Sequence, residues 1–256
     1  MAYLTDITGS KISIKYPPKR IISLVPSTTH SVCQLGRQKE IVGITNFCNR
    51  PSSLFTQVPK IGGTKQISVE AICTLRPDLV LANKEENTKK DIEALRAQKI
   101  PVFVTFPQTL EQALSDLLDL GKILHTVEKA RDLVNQIQNL RIERELFRYV
   151  YLIWNNPTMS ISSNTFIASI LKEIGGKTIY TTQERYPTIK HIPSDIDALL
   201  LSSEPFPFKE KHKKILSKRF DFPEEKIHLI DGEHCSWHGA NILRAIPYLH
   251  AWRDTL

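Results

Sequence analysis

The sequence predicts an α/β protein of two lobes, each with a parallel-type sheet flanked by helices, joined by one long backbone helix. Three observations lead there. Short apolar runs rich in Val and Ile alternate with helical stretches up to Thr105. A segment from Thr109 to about Phe147 then runs almost free of Gly and Pro. After it the alternation resumes. Continuous apolar strands separated by helices are what a parallel sheet covered on both faces requires.

Each element has a local reason. Ile21-Ile22-Ser23-Leu24-Val25 reads as a strand, and Pro26-Ser27-Thr28-Thr29 after it as a helix start. The helix from His30 to Leu35 ends at Gly36, a residue suited to the C′ position. Val42 to Thr45 is a second strand, and Ser68 opens a helix that must stop before Pro77. Leu79 to Ala82 is a third strand, Asp91 to Gln98 a helix and Val102 to Thr105 a fourth strand. Ala113, Leu114, Leu117, Leu118, Gly121 and Leu124 form one helical stripe. Ala130, Leu133, Val134, Ile137 and Leu140 form another. Tyr149 to Trp154 is again a strand, and Thr165 to Ile174 a helix closed by Gly175-Gly176. Ala198 to Ser202 and Ile227 to Ile230 are strands around a basic helix, Lys209 to Leu216. The last helix spans Ala240 to Trp252, with Pro247 inside it. The expected domains are therefore a lobe over 1–125, a linking helix over 126–148 and a lobe over 149–256.

Composition narrows the function. The chain has 256 residues, 41% hydrophobic and 24% charged, with a net charge of +7, which excludes a disordered or collagen-like chain. Its longest basic cluster, Lys211 to Lys214, is interrupted by His212, which by itself supports neither a nucleic-acid partner nor an acidic membrane surface, and no nucleic acid is expected. Four scattered cysteines without a CxxC make neither a disulfide scaffold nor a zinc ribbon. No run of 18 apolar residues predicts a membrane span, and residues 1–20 carry no apolar export signal.

The order of short motifs carries more information. Pro18-Lys19-Arg20-Ile21-Ile22-Ser23-Leu24-Val25-Pro26-Ser27-Thr28-Thr29-His30 resembles the opening "PxRIVSLxPSxTE" of the substrate-binding proteins of ABC importers for cobalamin, iron-siderophore complexes and haem. The resemblance continues through Leu35-Gly36, Val42 to Thr45, Cys48-Asn49-Arg50-Pro51, Ile61-Gly62-Gly63 and Ser68 to Ile72. It then takes in Leu75-Arg76-Pro77-Asp78-Leu79-Val80, Leu171 to Gly176 and Trp237-His238-Gly239, the last similar to a turn of cobalamin-type members. His30 stands where the family has Glu, and the second lobe is shortened around Ile196 to Leu200. The resemblance implies a monomer that captures a corrinoid or an iron chelate in a cleft between the lobes. It needs no covalent cofactor and delivers its cargo to an ABC permease.

Carried over residue by residue, the resemblance places ligand contacts on loops after strands. These are Phe47 and Cys48, Thr64, Asn83, Trp154 and Asn155, Tyr186 and Trp237. A large, rigid, partly apolar ligand needs flat aromatic surface and a few convergent hydrogen bonds. Ser27, Thr28 and His30 at the first helix start suit an anionic ligand group. His234-Cys235-Ser236-Trp237-His238 is the sharpest chemical cluster. Gly232 and Gly239 bracket it as a loop, which reads first as cleft lining, with axial ligation of a haem or corrinoid metal by one of its residues and a dedicated zinc site as alternatives. For docking to the permease the resemblance points to one acid per lobe, Glu70 and Asp195.

Two alternatives stand beside this reading. One is a cytosolic chelate-binding protein without a transporter, since a periplasmic or membrane-surface location rests on the resemblance alone. The other is an enzyme using Cys48 with His30 or His234. No nucleophile elbow, P-loop or HExxH supports catalysis, so none is expected.

Overall fold

Thirteen strands and ten α-helices occur in the computed structural model, which describes residues 2–181 and 183–256. The chain divides into two compact units. The first holds residues 1–107, 111–136 and 238–241, and the second residues 108–110, 137–237 and 242–256.

In the first unit, β1 (Ala2–Thr5) and β2 (Lys11–Ile14) form an antiparallel hairpin. The main sheet contains β3 (Ile21–Ser23), β4 (Ile41–Ile44), β7 (Leu79–Asn83) and β8 (Val102–Thr105) in the order β4-β3-β7-β8, all parallel. A small antiparallel pair, β5 (Gly62–Gly63) and β6 (Gln66–Ile67), lies off it. Helices α1 (Pro26–Gln34), α2 (Ser52–Gln57), α3 (Val69–Thr74), α4 (Lys89–Ala97) and α5 (Leu110–Ile123) alternate with the strands. Ile22, Leu24, Val80, Ala82, Val102 and Val104 pack against Ile72 of α3 and Ile92 and Leu95 of α4. Each of these Val, Leu and Ile side chains contributes about 1.5–3 kcal/mol when taken from water to the interior.

The second unit repeats the plan. β9 (Phe147–Trp154), β12 (Ala198–Ser202) and β13 (Ile227–Ile230) are parallel neighbours. On the free edge of β9, β11 (Gly176–Thr178) pairs parallel with its start and β10 (Met159–Ser160) antiparallel with its end. Helices α7 (Phe166–Lys172), α8 (Glu210–Phe220), α9 (Gly232–Ser236) and α10 (Ile242–Arg253) complete it. Val150, Leu152, Leu199 and Leu201 meet Ile189, Ile196, Phe208, Leu216 and Phe222 on one face.

Several boundaries differ from expectation. The linking helix is α6 (Val127–Asn139), and the chain passes from one unit to the other within it, between Gln136 and Ile137. The charged stretch 140–146 is not helical, because it has no apolar stripe to bury, and β9 already begins at Phe147. Helix α1 starts at Pro26, so Ser27, Thr28 and Thr29 lie inside its first turn rather than before it. Proline at the first helical position needs no N–H partner, which makes this start favourable. Ser68, Thr88 and Thr165 cap α3, α4 and α7 with their side-chain oxygens. Gly121 lets α5 turn into α6, since a Cβ there would sit 2.4 Å from the Ala130 methyl. Residues 232–236, read as a loop, form α9, whose first N–H groups are accepted by the Asp231 carboxylate. Among the described residues no helix is long and apolar enough to cross a membrane.

Candidate functional site

In open parallel sheets the chain reverses direction of strand addition at one point, and the loops at the carboxyl ends there splay apart into a crevice. In the first unit that point lies between β3 and β7, beyond Ser23 and Asn83. The crevice is occupied by the segment 238–241 of the chain itself. His238 Nε2 accepts from Asn83 Nδ2 at 3.4 Å and lies 3.4 Å from the Ser27 hydroxyl. An accepting Nε2 requires the neutral ring, and burial pushes the imidazole pKa down to about 4. Gly239 follows with φ +72, and a Cβ there would lie 2.3 Å from Ser31 Oγ. That same oxygen accepts the Ala240 N–H at 3.0 Å. Only glycine combines the left-handed backbone with such an approach.

Asn83 is buried and has no capacity to spare. Its Oδ1 accepts from the Glu85 and Glu86 N–H groups, and its Nδ2 also reaches Thr105 Oγ1 at 3.4 Å. Asn87 ties this turn to the Leu24 and Thr64 carbonyls. Behind the crevice lies a cavity of about 20 Å³, room for a single water, bordered by Thr28, Ser31, Phe103, Asp116, Leu117 and His238. Burial, and then the neighbouring Asp119, pushes the Asp116 carboxyl up to about 7. Its Oδ2 makes no hydrogen bond to any described residue.

The remaining expected residues of this unit separate by exposure. Cys48 is buried with its thiol 3.2 Å from Thr29 Oγ1 and 3.3 Å from Thr45 Oγ1, so it braces the loop after β4. His30 is buried in the second turn of α1, with Gln34 Nε2 3.3 Å from its Nε2. Phe47 is different: 61% of its surface is exposed, beside Gly63. Thr64 is half-buried.

In the second unit the corresponding point lies between β9 and β12. Trp154 ends β9 with 40% of its surface exposed, its ring edge-on to Phe206 at 5.8 Å and its N–H donated to the Asn156 carbonyl. Asn155 accepts from Arg219 through both its backbone and side-chain oxygens. Tyr186 is half-buried beneath the Arg185 guanidinium.

The His234–His238 cluster does not act as one group. His234 stacks on Tyr248 with ring centroids 4.4 Å apart. Cys235 is wholly buried and hydrogen-bonded to Tyr151, and burial pushes its thiol far up, so it offers no atom to a ligand. Trp237, also buried, donates its indole N–H to Glu204, whose carboxylate accepts the Ser236 hydroxyl at 2.6 Å. Burial nevertheless raises the Glu204 pKa. The structure therefore gives Cys235, Trp237 and His238 packing roles. Among the described residues no three His, Cys, Asp or Glu side chains converge as a metal site. Sequence reasoning passed over Ser31, Asn87, Asp116 and Glu204. For Glu204 a signal existed, since it lies two residues beyond a strand, where loops at the carboxyl ends gather.

Two successive parallel α/β units with loops gathered at strand ends define a protein built to hold a ligand. The chain belongs to the periplasmic binding protein family, whose sequence profile matches residues 21–200. It is 24% identical over 195 residues to the vitamin B12-binding protein of Vibrio parahaemolyticus, covering 73% of this chain and 70% of that one. The Yersinia pestis vitamin B12-binding protein is 27% identical over 169 residues, covering 63% and 60%. Among solved structures, the periplasmic vitamin B12-binding protein of Vibrio cholerae superposes with a TM-score of 0.77 at 17% identity, over 93% of this chain and 98% of that one. The apo periplasmic haem-binding protein of Roseiflexus gives 0.72 at 17% identity, over 92% and 99%.

Proposed function

We propose that the protein is the substrate-binding component of an ABC importer and captures a metal chelate, a corrinoid or a haem- or siderophore-like iron complex, outside the cytoplasmic membrane. The observation that carries this reading is the family match together with the exposed aromatics Phe47 and Trp154, each at the carboxyl end of a parallel strand. Flat rings left exposed to this extent suit a planar macrocycle. Within each unit the residues open to a ligand are Phe47 and Thr64, and Trp154 and Tyr186. The buried groups around His238 and Glu204 position the loops that carry them. Glu70 is exposed in the first turn of α3 and is proposed to dock a permease. So is Asp195, which is now paired with Arg148 at 2.5 Å.

Native mass spectrometry with cobalamin, haem and a ferric siderophore tests the assignment. One of the three should bind saturably in a one-to-one complex. Phe47→Ala and Trp154→Ala should each weaken that complex about 5–50-fold, as losing an exposed aromatic contact does, with the melting curve unchanged. Reversing Glu70 and Asp195 together should leave affinity intact and abolish association with the permease. Absence of binding by all three ligands would overturn the reading.

A further inference from the structure

Helix α8 turns two very different faces to its surroundings. Inward, Leu216 is buried in the core, and the His212 ring meets Phe206 and Phe208 edge-on at 5.5 and 5.6 Å. At its flanks the charges are already used: Lys213 pairs with Glu210 at 3.0 Å, and Arg219 is held by Asn155 and Thr158. Outward lie Lys211, Lys214, Ile215 and Lys218, all exposed. Their spacing of three, four and seven puts them on one stripe. Ile215, with 47% of its surface in water, sits among the three lysines. None of these lysines pairs with an acid among the described residues.

We propose that this stripe docks the protein on an anionic phospholipid surface. The choice of occupant follows from the chemistry of the stripe. Lysines are mobile point charges that suit a diffuse array of phosphates, whereas a defined carboxylate partner is better met by the planar fork of arginine. The face is the outer side of a single helix, which offers a protein partner little relief to complement. A fluid headgroup layer needs none. Lysine stems can lie along Ile215 while their ammonium groups reach the phosphates, which lets the apolar side chain enter the headgroup boundary. The acids that follow the helix, Asp221, Glu224 and Glu225, are all exposed and lie beyond its C-terminal end. They lie outside the stripe, so contact falls on the helix face from Lys211 to Lys218.

The test is vesicle flotation of the full chain with phosphatidylcholine alone and with about 30% phosphatidylglycerol added. Binding should occur only with the anionic lipid and should fall steeply between about 50 and 200 mM salt. The triple variant Lys211→Gln, Lys214→Gln and Lys218→Gln should lower the partition coefficient about 100-fold, given the usual contribution of a lysine near such a surface. Ile215→Ser alone should lower it several-fold while the melting curve stays unchanged, which guards against a folding artefact. Removing three exposed charges elsewhere, at Lys11, Lys90 and Lys99, should change it less than threefold. Equal loss from that control set, equal binding to neutral vesicles, or binding to an acidic polypeptide but to no vesicle would each overturn the proposal.

Discussion

His238 and Asn83 are 155 positions apart in sequence, yet the side-chain amide of one donates to the ring nitrogen of the other at 3.4 Å. This bond closes the crevice at the strand-order switch of the first unit. Burial keeps the ring in its neutral form, and Asp116 shares the cavity behind it.

Those two groups should bend the stability curve in opposite directions. The His238 pKa is about 4 in the folded protein against 6.5 unfolded, so the unfolded chain gains the proton first as pH falls. Stability contributed by the neutral ring is present above pH 6.5 and should be lost by roughly 3 kcal/mol as pH drops to about 4. Asp116 is about 7 folded against 3.8 unfolded, and its contribution is present below 3.8 and lost as pH rises through 7. Urea denaturation of Asp116→Asn should show a gain over the parent of up to about 4 kcal/mol at pH 8 that vanishes near pH 4. His238→Leu should flatten the acid limb and lower stability overall, since Asn83 and Ser27 lose their acceptor. Superimposable pH curves for the parent and Asp116→Asn would refute the account.

Trp237 is expected to matter for stability before it matters for affinity. Trp237→Phe keeps most of the ring but leaves the Glu204 carboxylate short of one donor, a loss of about 1–2 kcal/mol. Trp237→Ala also opens a cavity and should cost about 3–5 kcal/mol. An alanine variant melting within a degree of the parent would show that the indole is not packed as described.

Thiol chemistry offers a third check. Cys48 and Cys235 are buried, and burial followed by the nearby Cys48 pushes the half-buried Cys33 up to about 12. The thiolate is the reactive form, so Cys33 should be slow despite its partial exposure. In the native protein at pH 8, an aromatic disulfide reagent should therefore release one fast equivalent, lost in Cys73→Ser. Rapid reaction of two or more thiols would contradict this placement.

Much of the scaffold was legible because its causes are local. Leu79 to Ala82 and Tyr149 to Trp154 are apolar without interruption, as strands covered on both faces must be. Ser68 and Thr165 announce helix starts by bonding within three residues of themselves. Function-bearing positions were harder to read. Phe47 and Trp154, the proposed ligand contacts, were named through the family resemblance rather than from any local pattern. The cluster from His234 to His238 could not be parsed, because Trp237 belongs to the second unit and His238 to the first. Adjacent residues with separate duties leave no spacing signal. Burial of Cys235 depends on Tyr151, a partner 84 positions away, which no local pattern encodes. Helix α9 was hidden for a related reason, since five residues with glycine at their head fall below any periodicity.

The insertion of 238–241 into the first unit bears on how the protein is made. A ribosome has finished the strands of that unit by Thr105 and its last helical residues by Gln136. The plug for its crevice emerges only after another hundred or so residues, on the order of 5–20 s later at ordinary rates of synthesis. Until then Ser27, Ser31 and Asn83 face solvent or a chaperone instead of His238, Gly239 and Ala240. The first unit is thus completed only after residues 137–237 of the second have been made, and a nascent chain stalled before residue 238 would carry it open.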